Sequence, residues 1–526
     1  MLASLRAGSI GPLVFRESFL SDTKCDEALP ECGNCRVYGK PCPGYRLESI
    51  FRNETSKVEQ LVKKSGRSSS SSPSSSSGRR ASRRDSTPPS SLTTHRVADS
   101  TWEERALCFF FDQYTSDDDP DEAMSYLSFL PSLYSACREN KSDSPTALCL
   151  RNAVDATALM TLSNHVNAAP LVLRARQYYG NALQGLQAAL YEKSNAVKDE
   201  TFAAMVLLAL FEDITGERNG LASSHAAGFE FLMKLRGESQ LGHAQGRGLF
   251  HFAYTHTHVE MLALRGRPHY NTDWIVERLN GADPIARLIL AASKMSQLFL
   301  ATTSLQHLVP VSTPLDADSV SQLTFLLLLG RQIDLELTSW SQDLPDRWLP
   351  LIIYPDKSDN NDFLITYHHL SIASVWTYYR AVRIVSHIIM LELRKALAAA
   401  TGEVSEDLGP GVPAVIQKMI TDICRSIPFC LGDVDIMGNR TTSASPSAES
   451  KPQPRARAFS VYSMVWPLWY ILSCGLATPE QEQQIRNCLA RVGSVLGIKL
   501  ALVLAEDASS QKRPPIGVSG PLFGVH

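Results

Sequence analysis

No run in this sequence approaches the roughly 18 consecutive apolar residues of a membrane-spanning helix. "FLLLLG" (325–330) is short, and the stretch from Ile372 to Leu391 is interrupted by Arg380 and Arg383. The opening residues, "MLASLRAGSIGPLVFRESF", put Gly and Pro where a secretion signal needs an apolar centre, so neither a span nor a leader is expected. The phosphate-binding patterns G-x-G-x-x-G and G-x-x-x-x-G-K-[ST] are missing, and so is the nucleophile elbow G-x-S-x-G. No enzyme is expected on these grounds. Almost nothing alternates with period two, which leaves little room for half-buried strands.

What is present is ordinary in bulk and uneven in layout. The chain has 526 residues, 44% hydrophobic and 20% charged, enough for a large buried core and for two or three domains. The net charge is only −3, yet residues 1–98 hold 16 Lys and Arg against 9 Asp and Glu. A basic arm therefore precedes a mildly acidic body, and polyanion contact belongs to the arm.

Residues 66–98, "GRSSSSSPSSSSGRRASRRDSTPPSSLTTHRVA", are Ser-rich and poor in apolar side chains, so 56–100 is expected to be a disordered basic linker. Further breaks fall at "TGEVSEDLGPGVP" (401–413) and over 437–458, and residues 511–526 form a tail. Between the breaks the periodicity is helical. In "RARQYYGNALQGLQAAL" the residues Ala175, Tyr179, Ala182, Leu183, Leu186 and Leu190 share one face. "TFAAMVLLALFE" (201–212) is apolar all round and reads as a buried central helix. "SSHAAGFEFLMKLRG" offers a Ser cap at its start and Gly237 as a stop. "TPEQ" (478–481) is a capping box with Pro at the first helical position, and Ile485, Leu489, Val492, Leu496 and Lys499 follow down one side. The expectation is an all-α body over 101–510.

Eleven cysteines without a leader point to reduced thiols. Seven of them are scattered through helical patterns and read as small buried hydrophobes. The other four, Cys25, Cys32, Cys35 and Cys42, are spaced C-x6-C-x2-C-x6-C in "TKCDEALPECGNCRVYGKPCPGYRLESIFRNET" (23–55). Thiolates two residues apart can close on one zinc ion from a tight turn, and this segment has too few apolar residues to bury cysteines as core. Zn(2+) is the expected cofactor.

This segment resembles the second half of the fungal binuclear zinc-cluster (Zn2Cys6) transcription factors. By the resemblance, Cys25, Cys32, Cys35 and Cys42 correspond to the third to sixth cysteines, Pro30 to the loop proline, and "GY" and "FR-x-ET" to the closing residues. The first C-x2-C and its basic run have no counterpart in "SIGPLVFRESFLSDTK", where only Arg16 and Lys24 are basic. Residues 1–22 are thus unrelated to the family, and the helix that reads the major groove is absent. Four thiolates serve one zinc, not two. A wrong splice boundary near Thr23 gives this pattern, and so does a real loss of DNA reading.

The body, residues 102–505, also resembles the helical fungal-specific transcription factor domain. The matching stretches include "ALCFFFDQY" (106–114), "AAMVLLALFED", "YHHLSIASVWTYYRAVRIVSHIIML" (367–391) and "MVWPLWYILSCGLATPEQ" (464–481). The resemblance implies a nuclear RNA polymerase II regulator that binds CGG-type DNA half-sites. It also implies contact with the transcription machinery or co-regulators, and it allows a homodimer, although no sustained heptad follows the cluster. The alternative is a helical co-regulator without DNA binding of its own. Lys24 is the one carried-over DNA residue, as a phosphate contact. Arg79, Arg80, Arg83 and Arg84 in "GRRASRR" read as a nuclear import signal, and Ser82 and Ser86 lie behind paired arginines as kinase targets.

Two other constellations offer a metal trio and a ligand-pocket wall, and both read as structural instead. His251, His256, His258 and Glu260 in "HFAYTHTHVE" read as core or surface residues, since His256 and His258 point apart on a helix. The Trp-rich "TSWSQDLPDRWLP" (338–350) reads as a loop anchored by its aromatics.

Overall fold

The structure is a computed structural model. It describes residues 100–115, 127–139, 144–218, 222–264, 272–306, 317–354, 363–401, 411–441 and 457–510. The cysteine segment, the basic arm and the tail lie outside these residues.

The described residues form sixteen α-helices and one small hairpin, in agreement with the all-α expectation. The helices are α1 (Trp102–Tyr114), α2 (Leu130–Glu139), α3 (Pro145–Val166), α4 (Ala169–Tyr191), α5 (Lys193–Ala196), α6 (Asp199–Thr215), α7 (Ala226–Arg236) and α8 (Ala244–Leu264). They continue as α9 (Asp273–Val276), α10 (Pro284–Gln306) and α11 (Ala317–Gln342). The strands β1 (Leu351–Ile353) and β2 (Leu364–Thr366) come next, then α12 (Leu370–Thr401), α13 (Gly411–Cys430), α14 (Ala458–Cys474), α15 (Pro479–Ser494) and α16 (Leu500–Ser510).

Helix α6 is the buried element its composition predicts. Every residue from Thr201 to Phe211 is buried, and α3, α4, α8 and α16 pack around it. Full burial of a side chain such as Phe202 or Leu207 contributes about 1.5–3 kcal/mol, so no face of this helix is left to solvent. In α4, Ala175, Ala182 and Leu186 are buried, while Tyr179, Leu183 and Leu190 pack on the core from its edge. The long α12 lies against α11, α13 and α14. Its Arg380 is only 2% exposed. The guanidinium donates to the Tyr367 hydroxyl at 2.5 Å and sits over the Trp376 ring. No helix among the described residues is long and apolar enough to cross a membrane.

The expected capping box at α15 is present: Thr478 Oγ1 accepts from Gln481 N (3.3 Å), and Gln481 Oε1 accepts from Thr478 N (3.0 Å). Gly237 ends α7 with φ 65°. Three details differ from the sequence reading. The Ser cap of α7 is absent, because Ser224 gives its hydroxyl to Glu212 (3.0 Å) and the helix begins only after His225. Helix α15 stops at Ser494, so Leu496 and Lys499 are not on its face; Gly497, at φ 77°, turns the chain into α16. The hairpin, with Ile352 opposite Ile365, was not expected, because three-residue strands are too short to display a period.

Candidate functional site

A cavity of about 120 Å³ opens where α8, α10, α12 and α14 meet, with Arg218 and Leu500 of α16 completing its wall. Most of the lining is apolar: Phe252 and Val259 from α8, Leu288 and Ile289 from α10, Val375 from α12, and Phe459 and Trp466 from α14. These positions recur at helical spacing on faces that look inward, so the same periodicity that builds the core also walls the cavity.

One edge of the cavity is polar and charged. Helix α6 ends at Thr215, and the chain doubles back so that Arg218 returns to Asp213, five residues earlier. Asp213 is fully buried, and Arg218 Nη1 donates to its Oδ1 at 2.5 Å. Tyr462 of α14 donates to the other carboxylate oxygen at 2.6 Å. Arg218 Nη2 lies 3.7 Å from Glu260 Oε2, which also accepts from Ser223 N at 3.1 Å. Burial raises the Asp213 carboxyl above the usual range, and Arg218 and Tyr462 partly offset that. Burial disfavours the Arg218 cation most, but Asp213, Tyr462 and Glu260 together outweigh it and raise its pKa further. Beside this cluster, Glu212 collects the Tyr179 hydroxyl (3.1 Å), the Ser224 hydroxyl and His225 Nε2 (3.0 Å). Together these overcome burial and hold its carboxyl below the usual value.

The three α8 histidines do not form a metal site. His258 Nε2 faces the Ala292 carbonyl at 3.1 Å and therefore carries the proton. Its Nδ1 accepts from the Tyr378 hydroxyl at 2.8 Å. Both nitrogens are used, and burial pushes the pKa down to about 4. His251 is likewise pushed to about 4 by burial and then by Arg247. His256 lines the cavity, its ring packed on Phe252 and edge-on to Phe229, and its buried Nε2 meets no hydrogen-bond partner. Burial first, then the nearby Arg218 and His225, hold it well below its ordinary pKa. Among the described residues no three His, Cys, Asp or Glu side chains are placed to share a metal ion.

The arrangement is suited to binding rather than bond making. The hydroxyls of Ser374 and Ser463 donate to backbone carbonyls, Leu370 O and Ser460 O, instead of to a base. The described cysteines are free thiols, and burial raises Cys149, Cys424, Cys430 and Cys488 to about 12, far from a nucleophilic thiolate. The Trp-rich segment acts as the expected anchor. Trp340 Nε1 donates to Pro284 O and Trp376 Nε1 to Trp348 O, both at 2.7 Å. It also edges an open cleft of about 540 Å³, crossed by the Arg287–Asp343 ion pair.

The zinc ligands Cys25, Cys32, Cys35 and Cys42, the phosphate contact Lys24 and the import arginines Arg79, Arg80, Arg83 and Arg84 lie outside the described residues. The cavity and the Asp213–Arg218–Tyr462 cluster escaped the sequence reading. Its local signal is a pair of acidic residues, Glu212 and Asp213, directly after the apolar run from Phe202 to Phe211.

No curated protein and no solved structure matches the chain. A protein-family model does match: residues 128–270 fit the fungal specific transcription factor domain, a regulatory and non-enzymatic family. The match runs from α2 through α8, and so includes Asp213, Arg218, His256 and Glu260 but not α12 or α14. The chain thus carries, over 128–270, the likeness of a fungal transcription regulator.

Proposed function

We propose that this chain is a nuclear transcription regulator of the fungal zinc-cluster type, with the helical body as its regulatory part. The observation that carries the reading is an order along the chain: C-x6-C-x2-C-x6-C, then a basic Ser-rich arm, then a stretch matching the fungal specific transcription factor domain. The four cysteines offer a donor set that suits one tetrahedral zinc. Lys24 and the arm supply cations for phosphate contacts, each adding a slope of about −0.9 to log affinity against log salt. RNA polymerase II promoters, co-regulators and a second copy of the chain are the partners this reading supplies.

A second reading has its own support. The residues before Lys24 include no cysteine and only Arg6 and Arg16 as cations, so no basic helix is available to set against base edges. The chain would then act through a DNA-binding partner. Selection of binding sites from random DNA at physiological salt separates the two. Enrichment of a CGG-type half-site by the chain as it stands supports direct reading. Salt-sensitive binding without enrichment supports the co-regulator.

A further inference from the structure

We infer that the cavity between α8, α10, α12 and α14 is a binding site for a small, uncharged, mainly apolar molecule that carries one hydroxyl group.

Size and lining set the body of the ligand. An apolar cavity of about 150 Å³ holds benzene, and at about 120 Å³ this one suits a ring of similar size. Phe252, Val259, Ile289, Val375 and Trp466 give such a ring a dry contact surface.

Charge pairing sets the ligand's neutrality. The wall's cation, Arg218, is held by Asp213 at 2.5 Å and faces Glu260 at 3.7 Å. An anion would find a guanidinium already balanced. A cation would shed water against a mainly apolar wall whose nearest carboxylate, Glu260, also serves Ser223 N.

Hydrogen bonding sets the polar group. The hydroxyl protons of Tyr378, Tyr462, Ser374 and Ser463 are all committed to acceptors inside the protein. The His256 imidazole is not satisfied in this way: it lines the cavity, and its buried Nε2 has no partner. A half-turn of the ring about Cβ–Cγ exchanges Nε2 with Cε1 at almost no change in shape, so the ring has two ways to present nitrogen. A hydroxyl can donate or accept, and therefore satisfies either tautomer of a neutral imidazole. A purely apolar ligand would leave the imidazole unsatisfied.

This inference does not rest on DNA reading. A chain that selects no DNA sequence still has this cavity, and a failed ligand test leaves the transcriptional reading untouched.

The test uses the full chain and three probes of one shape: benzyl alcohol, toluene and benzoate. Thermal unfolding across a concentration series of each reads out binding to the folded state. Benzyl alcohol is expected to raise the midpoint saturably, toluene to do so about tenfold more weakly, and benzoate not to do so. His256→Phe should remove the preference for the alcohol over toluene. Val259→Phe and Ser371→Leu, which fill the cavity from different helices, should abolish both responses in chains that keep wild-type helicity. A flat response to all three probes in the wild type overturns the proposal. So does benzoate matching the alcohol, or a response that survives both filling variants. Should a variant fail to fold, the ranking of the three probes on the wild type still decides.

Discussion

Tyr462 donates a 2.6 Å hydrogen bond to Asp213 across 249 residues of sequence, and so ties α14 to the end of the central helix α6. Asp213 is fully buried, and Arg218 on its other oxygen is 5% exposed, so the three side chains form a closed polar cluster inside an apolar body. A buried hydrogen bond to a charged group contributes more than a neutral one, and an orphaned buried charge is costlier still.

Tyr462→Phe should therefore destabilise the chain by about 1.5–3 kcal/mol, the loss of one hydrogen bond to an ionised group. Asp213→Ala should cost more, about 3–5 kcal/mol, because it removes the carboxylate 2.5 Å from the buried Arg218 cation while Glu260 lies farther off at 3.7 Å. Urea unfolding of the helical signal measures both. The reverse ranking would show that Glu260 compensates Arg218 on its own.

His258 gives the fold a dependence on pH. Its folded pKa, about 4, lies below the ordinary value of 6.5, so the unfolded chain binds a proton more readily. The contribution to stability is complete above about pH 6.5 and is lost as pH falls toward 4, by on the order of 3 kcal/mol. His258→Gln should reduce the slope of that part of the urea-midpoint profile, with His251 and His256, which burial also holds low, keeping the remainder. An unchanged slope between pH 6.5 and 4 would mean that His258 does not carry the effect.

For the proposed zinc site, the expected stoichiometry is at most one ion per chain, held by Cys25, Cys32, Cys35 and Cys42. Four thiolates complete one tetrahedron, whereas two ions need shared ligands. Metal quantitation of the purified chain should give one zinc, and replacing Cys32 and Cys35 by Ser should remove it. Two tightly held ions, or none, would contradict the ligand count.

For the proposed import signal, replacing Arg79, Arg80, Arg83 and Arg84 by Ala should lower nuclear accumulation of a tagged chain. The four cations lie within six residues of a Ser-rich arm with little apolar content. A mutant as nuclear as the wild type would remove this role from the cluster.

The sequence by itself determined the helical class, the central position of α6, the Gly237 stop and the capping box at Thr478. Each of these is written within one or two turns of chain: an apolar period, a φ that glycine adopts freely, a side chain reaching an amide three residues on. Where a local signal had a tertiary competitor, the competitor prevailed, as when Glu212 took the hydroxyl of Ser224 that would otherwise have capped α7. The cavity and its polar edge were decided only by the tertiary structure. Asp213 meets Tyr462 across 249 residues and His258 meets Tyr378 across 120, and no window of sequence contains both members of either pair. Periodicity says which face of a helix is buried. Which partner it is buried against, and where close packing leaves a gap, depends on how all the helices fill space together.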